Sequence, residues 1–152
     1  MKEIQTLSTA VEGAVSDVVK GYEFVTAKKQ SWKPEESAKS AQEIANHVSY
    51  WNLVFERAIS GGSLPTASES EWIESNRDAK TKEGSKMLLE KTSQAFTKAV
   101  KGLSSEQLSK SISLPWGSSS TLQAVLGNYN HISYHSGQLN YLQTLLGDTE
   151  SH

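Results

Sequence analysis

The sequence predicts an all-α fold, a single four-helix bundle spanning residues 1–152. Three observations predict it. Apolar residues recur at i, i+3, i+4 and i+7 in long segments. Two of these segments open on a capping box, a Ser followed three residues later by Glu or Gln that can satisfy two free end amides. Between the second and third segments lies a long polar connection, residues 61–79. That length suits a crossover running along a helix, because an extended chain covers ~3.3 Å per residue against ~1.5 Å in a helix.

The first helix is expected from about Ile4 to Ala27, with Ile4, Leu7, Val11, Ala14, Val15, Val18, Val19, Tyr22 and Val25 on one stripe. Gly13 and Gly21 weaken it modestly, and Pro34 marks a break. The second helix starts at the capping box Ser40-Ala41-Gln42-Glu43. It runs through Ile44, His47, Val48, Trp51, Val54, Phe55 and Ala58 to the stop at Gly61-Gly62. In the connection that follows, Trp72 is expected either to anchor the strap or to sit in a short helical turn. The third helix is expected from about Lys80 to Leu103, with Met87, Leu88, Phe96, Ala99 and Val100 as core candidates. A short turn near Ser104–Leu108 and a break at Leu114-Pro115-Trp116-Gly117 precede the fourth helix. That helix opens on the box Ser120–Gln123 and continues through Leu122, Val125, Leu126, Tyr129, Ile132, Leu139, Leu142 and Leu146 to Gly147.

Composition narrows the function classes. Net charge is −2 with both signs interspersed, so the basic stripe of a nucleic-acid binder is absent. There is no cysteine, which removes disulfides, thiolate ligands and a cysteine nucleophile, and leaves any thiol chemistry to a small molecule. No apolar run approaches the ~20 residues of a membrane span, and Met1–Gln5 show no apolar leader core. The expectation is a cytoplasmic protein with no membrane or nucleic-acid partner.

Chemistry concentrates in the histidines. His131 and His135 are four apart on the fourth helix and point the same way from consecutive turns, and His47 lies on the buried stripe of the second. Three imidazoles can grip one divalent ion and leave a position open for water or substrate. A histidine on an apolar face is also an ordinary core residue, and H-x-x-x-H without a Glu between its histidines is weakly specific. The residues by themselves leave metal binding and core packing both open. His152, at the very end, is set aside.

Ser40-Ala41-Gln42-Glu43-Ile44-Ala45-Asn46-His47, with Tyr50-Trp51 after it, resembles the second helix of the DinB/YfiT-like superfamily. His131-Ile132-Ser133-Tyr134-His135-Ser136-Gly137-Gln138-Leu139 is similar to that family's H-x-x-x-H-x-G-Q signature, and Leu114-Pro115-Trp116-Gly117 matches a frequent pattern just before it. The resemblance spans about 30–147. It implies an up-down-down-up bundle with a long crossover between helices two and three. It also implies one divalent ion, zinc or nickel, on His47, His131 and His135. Ser136 stands where many members carry Arg, which bears on substrate class.

Around those ligands Gln138 is a candidate partner for a ligand histidine, and Tyr50 or Tyr134 could line the pocket with a phenol. Glu43 is explained by its capping role, and Gly137 suggests close approach of another helix. The resemblance implies a metal-dependent S-transferase acting with a low-molecular-weight thiol as cosubstrate on a small electrophilic substrate. Metal-bound water in a hydrolase, or a non-catalytic stress-associated binding bundle, are the alternatives. A homodimer is the expected assembly, with Trp32 or Trp72 as candidate contacts.

Overall fold

In a computed structural model that describes residues 2–150, four long helices form the molecule: α1 (Lys2–Glu23), α2 (Ala41–Ser60), α4 (Lys82–Lys101) and α6 (Thr121–Leu145). Two short helices, α3 (Glu69–Ser75) and α5 (Ser105–Leu108), a single 3₁₀ turn (Asp78–Lys80) and a two-stranded hairpin complete it. The hairpin pairs β1 (Ser111–Leu114) antiparallel to β2 (Gly117–Ser120), with Leu114 opposite Gly117 and Pro115-Trp116 at the turn. It replaces the plain break expected there. Its short serine-rich strands carry no strong alternating pattern, so the pairing is set by the chain reversal.

The helix starts follow the local chemistry. Ser40 and Glu43 cap α2 reciprocally, and Ser120 and Gln123 do the same for α6. The first helix stops at Glu23, four residues short of Ala27, because the chain turns there to seat Val25 in the core.

α1 packs against α4 and α6, and α2 packs against the same two, so the consecutive helices α1 and α2 are diagonal. Side-chain bonds between helix ends give their directions. The Lys82 ammonium at the start of α4 reaches the Tyr22 carbonyl at the end of α1. Asn46 Nδ2 and Gln42 Nε2, early in α2, donate to Ala79 O just before α4, at 2.9 and 3.2 Å. Gln143 Nε2, late in α6, donates to Gly21 O late in α1 at 2.5 Å. Running up α1, the chain therefore goes down α2, down α4 and up α6.

The core is apolar at both ends and polar across its middle. Val11, Val18, Tyr22, Ile44, Val48, Leu89, Phe96, Val100, Val125, Ile132 and Leu139 form the main cluster. Among them Asn128 Nδ2 donates to Asn52 Oδ1 at 2.9 Å, and Asn52 Nδ2 donates to Ser93 Oγ at 3.0 Å, tying α6 to α2 to α4. All three residues are wholly buried, where a polar group must be paired.

Three expected core positions face outward instead. Met87 is 60% exposed, and Leu122 and Leu126 lie on the open side of α6 at 37% and 41%. Helical spacing marks a stripe, but at the stripe's edges only the neighbouring helices decide what is covered. Gly137 also faces open space, so no helix approaches there. The tight approach is at Gly21, where a Cβ would stand 3.3 Å from Leu139 Cβ.

The crossover is docked onto α4 through Gly84, where an added Cβ would collide with the Asp78 backbone. Gly84→Ala should therefore destabilise the protein by about 1–3 kcal/mol despite Ala's better helix propensity. Urea denaturation would show this, and an unchanged or raised midpoint would contradict the packing described.

Candidate metal centre

His47 sits in the second turn of α2, and His131 and His135 sit on consecutive turns on either side of the middle of α6. Because α2 and α6 run antiparallel, these turns come level. Ligating atoms of the three rings all lie within 4.8 Å of one another. His47 Nε2 and His131 Nε2 are 2.9 Å apart, and the ring centroids are separated by 4.5 to 4.9 Å. The outer nitrogens of two rings are held by side-chain oxygens. His47 Nδ1 lies 2.6 Å from Glu69 Oε1, and His135 Nδ1 lies 2.7 Å from Gln138 Oε1.

Glu69 was not among the sequence candidates. It stands in the first turn of α3, midway along the crossover, and its second oxygen accepts from Trp51 Nε1 at 3.0 Å. Ser68–Glu71 forms a capping box that starts α3, a signal readable in the sequence. What no spacing rule could give is that this turn lands beside His47. Trp72 packs its ring 5.8 Å from that of Tyr50, and Tyr50 donates its hydroxyl to Ala67 O at 3.0 Å. The Tyr50 phenol therefore ties down the strap.

Tyr134 is two-thirds exposed. Its ring meets His135 edge-on at 5.1 Å, and its hydroxyl accepts from Gln138 Nε2 at 3.2 Å. Gln138 thus joins His135 to Tyr134. Trp116, at the hairpin turn, lays its ring 5.6 Å from Trp51 and extends the aromatic wall. Glu43 is occupied by Ser40 and by Lys33, 2.9 Å away, and plays no part at the centre.

Burial dominates the electrostatics. It drives the His131 imidazole down to about 3, helped by the neighbouring His135 and His47. Burial also brings His135 down to about 4, against the opposing hydrogen bond to Gln138. Burial pushes Glu69 upward, but its bonds to His47 and Trp51 outweigh that and hold it below the usual carboxylate range. His131 and His135 are therefore neutral at pH 7, with a carboxylate stationed behind His47. Neutral converging imidazoles are the donor set that zinc and nickel take, so the residues present fit such an ion.

A groove of about 390 Å³ opens beside His135 and is lined by Lys39, Ile44, Tyr134, Gln138, Tyr141 and Leu142 among others. A wider depression under Trp72, Arg77 and Asp78 lies on the crossover and touches none of the three histidines. No helix is long and apolar enough to cross a membrane among the described residues.

Comparison with known proteins gives the same architecture. Residues 23–152 match the model of the DinB family. A DinB-like protein of Bacillus subtilis, YjoA, superposes with a TM-score of 0.76 at 19% identity, over 97% of this chain and 96% of that one. YfiT of Bacillus subtilis, described as a probable metal-dependent hydrolase with an unusual four-helix bundle topology, gives 0.74 at 15% identity over 97% and 89%. A conserved protein of Enterococcus faecalis gives 0.68 at 18% identity over 97% and 99%. No curated protein sequence matches.

The depressed imidazoles set a pH dependence. With folded values below the ordinary 6.5, the unfolded chain takes up protons first on acidification. Stability from these groups is complete above about pH 6.5 and falls as pH drops toward 4. In chelator, the urea midpoint should be lower at pH 5 than at pH 7, and the drop should shrink in His131→Leu. An equal drop in both proteins would refute the assignment.

Proposed function

The chain belongs to the DinB family, and on that footing we propose that it is a metal-dependent enzyme whose divalent ion is held by His47, His131 and His135. The observation that carries this reading is the convergence of three ring nitrogens within 4.8 Å, with Glu69 and Gln138 aligned behind two of them. When bound, the ion supplies Lewis acidity, lowering the pKa of a small nucleophile and polarising an electrophile.

The chain's own residues prepare that chemistry. Burial keeps His131 and His135 unprotonated, so their ring nitrogens are available without competition from protons at neutral pH. Glu69 and Gln138 accept from Nδ1 of His47 and His135 and turn the other nitrogen of each ring toward the centre. The groove beside His135 has room for a small molecule, with Lys39, Tyr134 and Tyr141 among its lining residues.

The reaction we propose is transfer of a low-molecular-weight thiol to an electrophilic carbon. The thiol is a cosubstrate, since the chain has no cysteine to supply one. Hydrolysis is the second reading, favoured by the description of YfiT as a probable metal-dependent hydrolase.

Untagged protein should carry about one zinc or nickel ion per chain by mass spectrometry, lost in His47→Ala and in His135→Ala. Glu69→Gln should weaken zinc binding about 10- to 100-fold. Turnover of a thiol with an electrophile that disappears in His135→Ala would support the transferase, whereas hydrolysis of an ester or amide panel without thiol would favour the second reading. Tight metal binding with no turnover in either screen would leave a non-catalytic binding bundle. Failure to take up any divalent ion would end the metalloenzyme reading.

We also propose that the protein is a homodimer formed through the open side of α6. That helix carries no charged residue from Thr121 to Leu145 and exposes Leu126, Tyr134, Tyr141 and Leu145. An apolar face without charge is the composition of an interface. Sedimentation should give a dimer that Leu126→Glu with Tyr141→Glu converts to a monomer, and a monomeric parent protein at micromolar concentration would rule it out.

A further inference from the structure

An imidazole nitrogen that faces a cation must be bare, so the proton of the neutral ring sits on the other nitrogen and needs an acceptor there. His47 has Glu69 for this purpose, and His135 has Gln138. His131 breaks the pattern. Its Nε2 faces His47 Nε2 at 2.9 Å, while its Nδ1 is buried with no hydrogen-bond partner among the described residues. A buried N–H left in that condition is costly.

A second unpartnered atom stands near it. Asn128 lies one turn before His131 on α6, is wholly buried, and has no partner for its Oδ1. Helical side chains lean toward the helix N-terminus, so the ring of His131 lies over the turn that carries Asn128. The orientation of the Asn128 amide is set from its other side. Its Nδ2 donates to Asn52 Oδ1, and Asn52 Nδ2 donates to Ser93 Oγ. Every donor in this chain points from α6 through α2 to α4, so the group left over at the α6 end is an acceptor.

We propose that Asn128 is the positioning residue of His131. Its Oδ1 serves the Nδ1–H of His131 through one buried water, and so holds the ring with Nε2 bare toward the ion. With Nε2 turned to the ion the ring proton is on Nδ1, and the water accepts from it while donating to Oδ1. Asn128 thus does for His131 what Glu69 and Gln138 do for the other two rings, drawing on a polar chain anchored at Ser93.

The inference rests on the metal-centre reading, and zinc is the probe for both. In zinc-loaded parent protein labelled with ¹⁵N-histidine, long-range proton–nitrogen correlation should place a slowly exchanging proton on His131 Nδ1, with a cross-relaxation contact to the Asn128 side chain. Asn128→Leu keeps the approximate shape and removes the acceptor, and should weaken zinc binding about 10- to 100-fold in chelator competition. Asn128→Asp keeps an acceptor but gives up the donor to Asn52, so it should bind zinc more tightly than Asn128→Leu.

A residue that mattered only through Asn52 would make Asp as damaging as Leu, and that result would overturn the proposal. So would zinc affinity unchanged in folded Asn128→Leu, or a rapidly exchanging Nδ1 proton in the parent protein. Each of these leaves the metal centre standing, whereas failure of the parent protein to bind zinc would overturn both. The resonance experiment uses no variant, so it decides the matter even if Asn128→Leu does not fold.

Discussion

The antiparallel contact between α2 and α6 is the constraint on which the rest of the molecule depends. It brings His47, near the start of one helix, level with His131 and His135 around the middle of the other. Its register is pinned inside the core by the Asn128–Asn52 hydrogen bond, five residues beyond His47 on α2 and three before His131 on α6. A slip of one turn, ~5.4 Å, would break that buried bond and part the imidazoles together.

That contact also dictates the connections. With α1 and α2 diagonal and α2 parallel to α4, neither the first nor the second connection can be a tight hairpin. The first spans residues 24–40 and is tied down by Gln30, whose side chain accepts from Tyr22 and whose carbonyl accepts from Gln42 N. The second must climb back along α2, and in climbing it passes His47. The carboxylate behind that histidine is therefore a product of topology: a strap that has to return along this helix brings Glu69 within 2.6 Å of the ring.

Burial serves both the fold and the chemistry. Burying His131 and His135 between α2 and α6 disfavours their charged forms, which is what a metal ligand requires. The same burial makes the metal-free protein sensitive to acid, because protons that the folded state refuses are accepted by the unfolded chain. A bound cation would remove that conflict, since it occupies the nitrogens that protons compete for. The polar layer of Ser93, Asn52 and Asn128 is tolerated in the core because its amides bond in one chain, which leaves Asn128 Oδ1 as the spare acceptor one turn before His131.

The four long helices, the capping boxes that open α2 and α6, the long second connection and the three histidines are legible in the sequence. Each of these is written in short-range patterns, since 3.6-residue periodicity, Ser-x-x-Glu boxes and an i, i+4 pair depend only on residues within a turn or two. The direction of the helices, and with it the up-down-down-up order, came from resemblance and is fixed physically by bonds between distant residues such as Gln143 and Gly21. Only the packing of distant segments puts Glu69 beside His47, joins Asn128 through Asn52 to Ser93, and turns Leu122, Leu126 and Met87 outward. These depend on which surfaces meet across 22 to 84 residues of chain, and no local pattern carries that information.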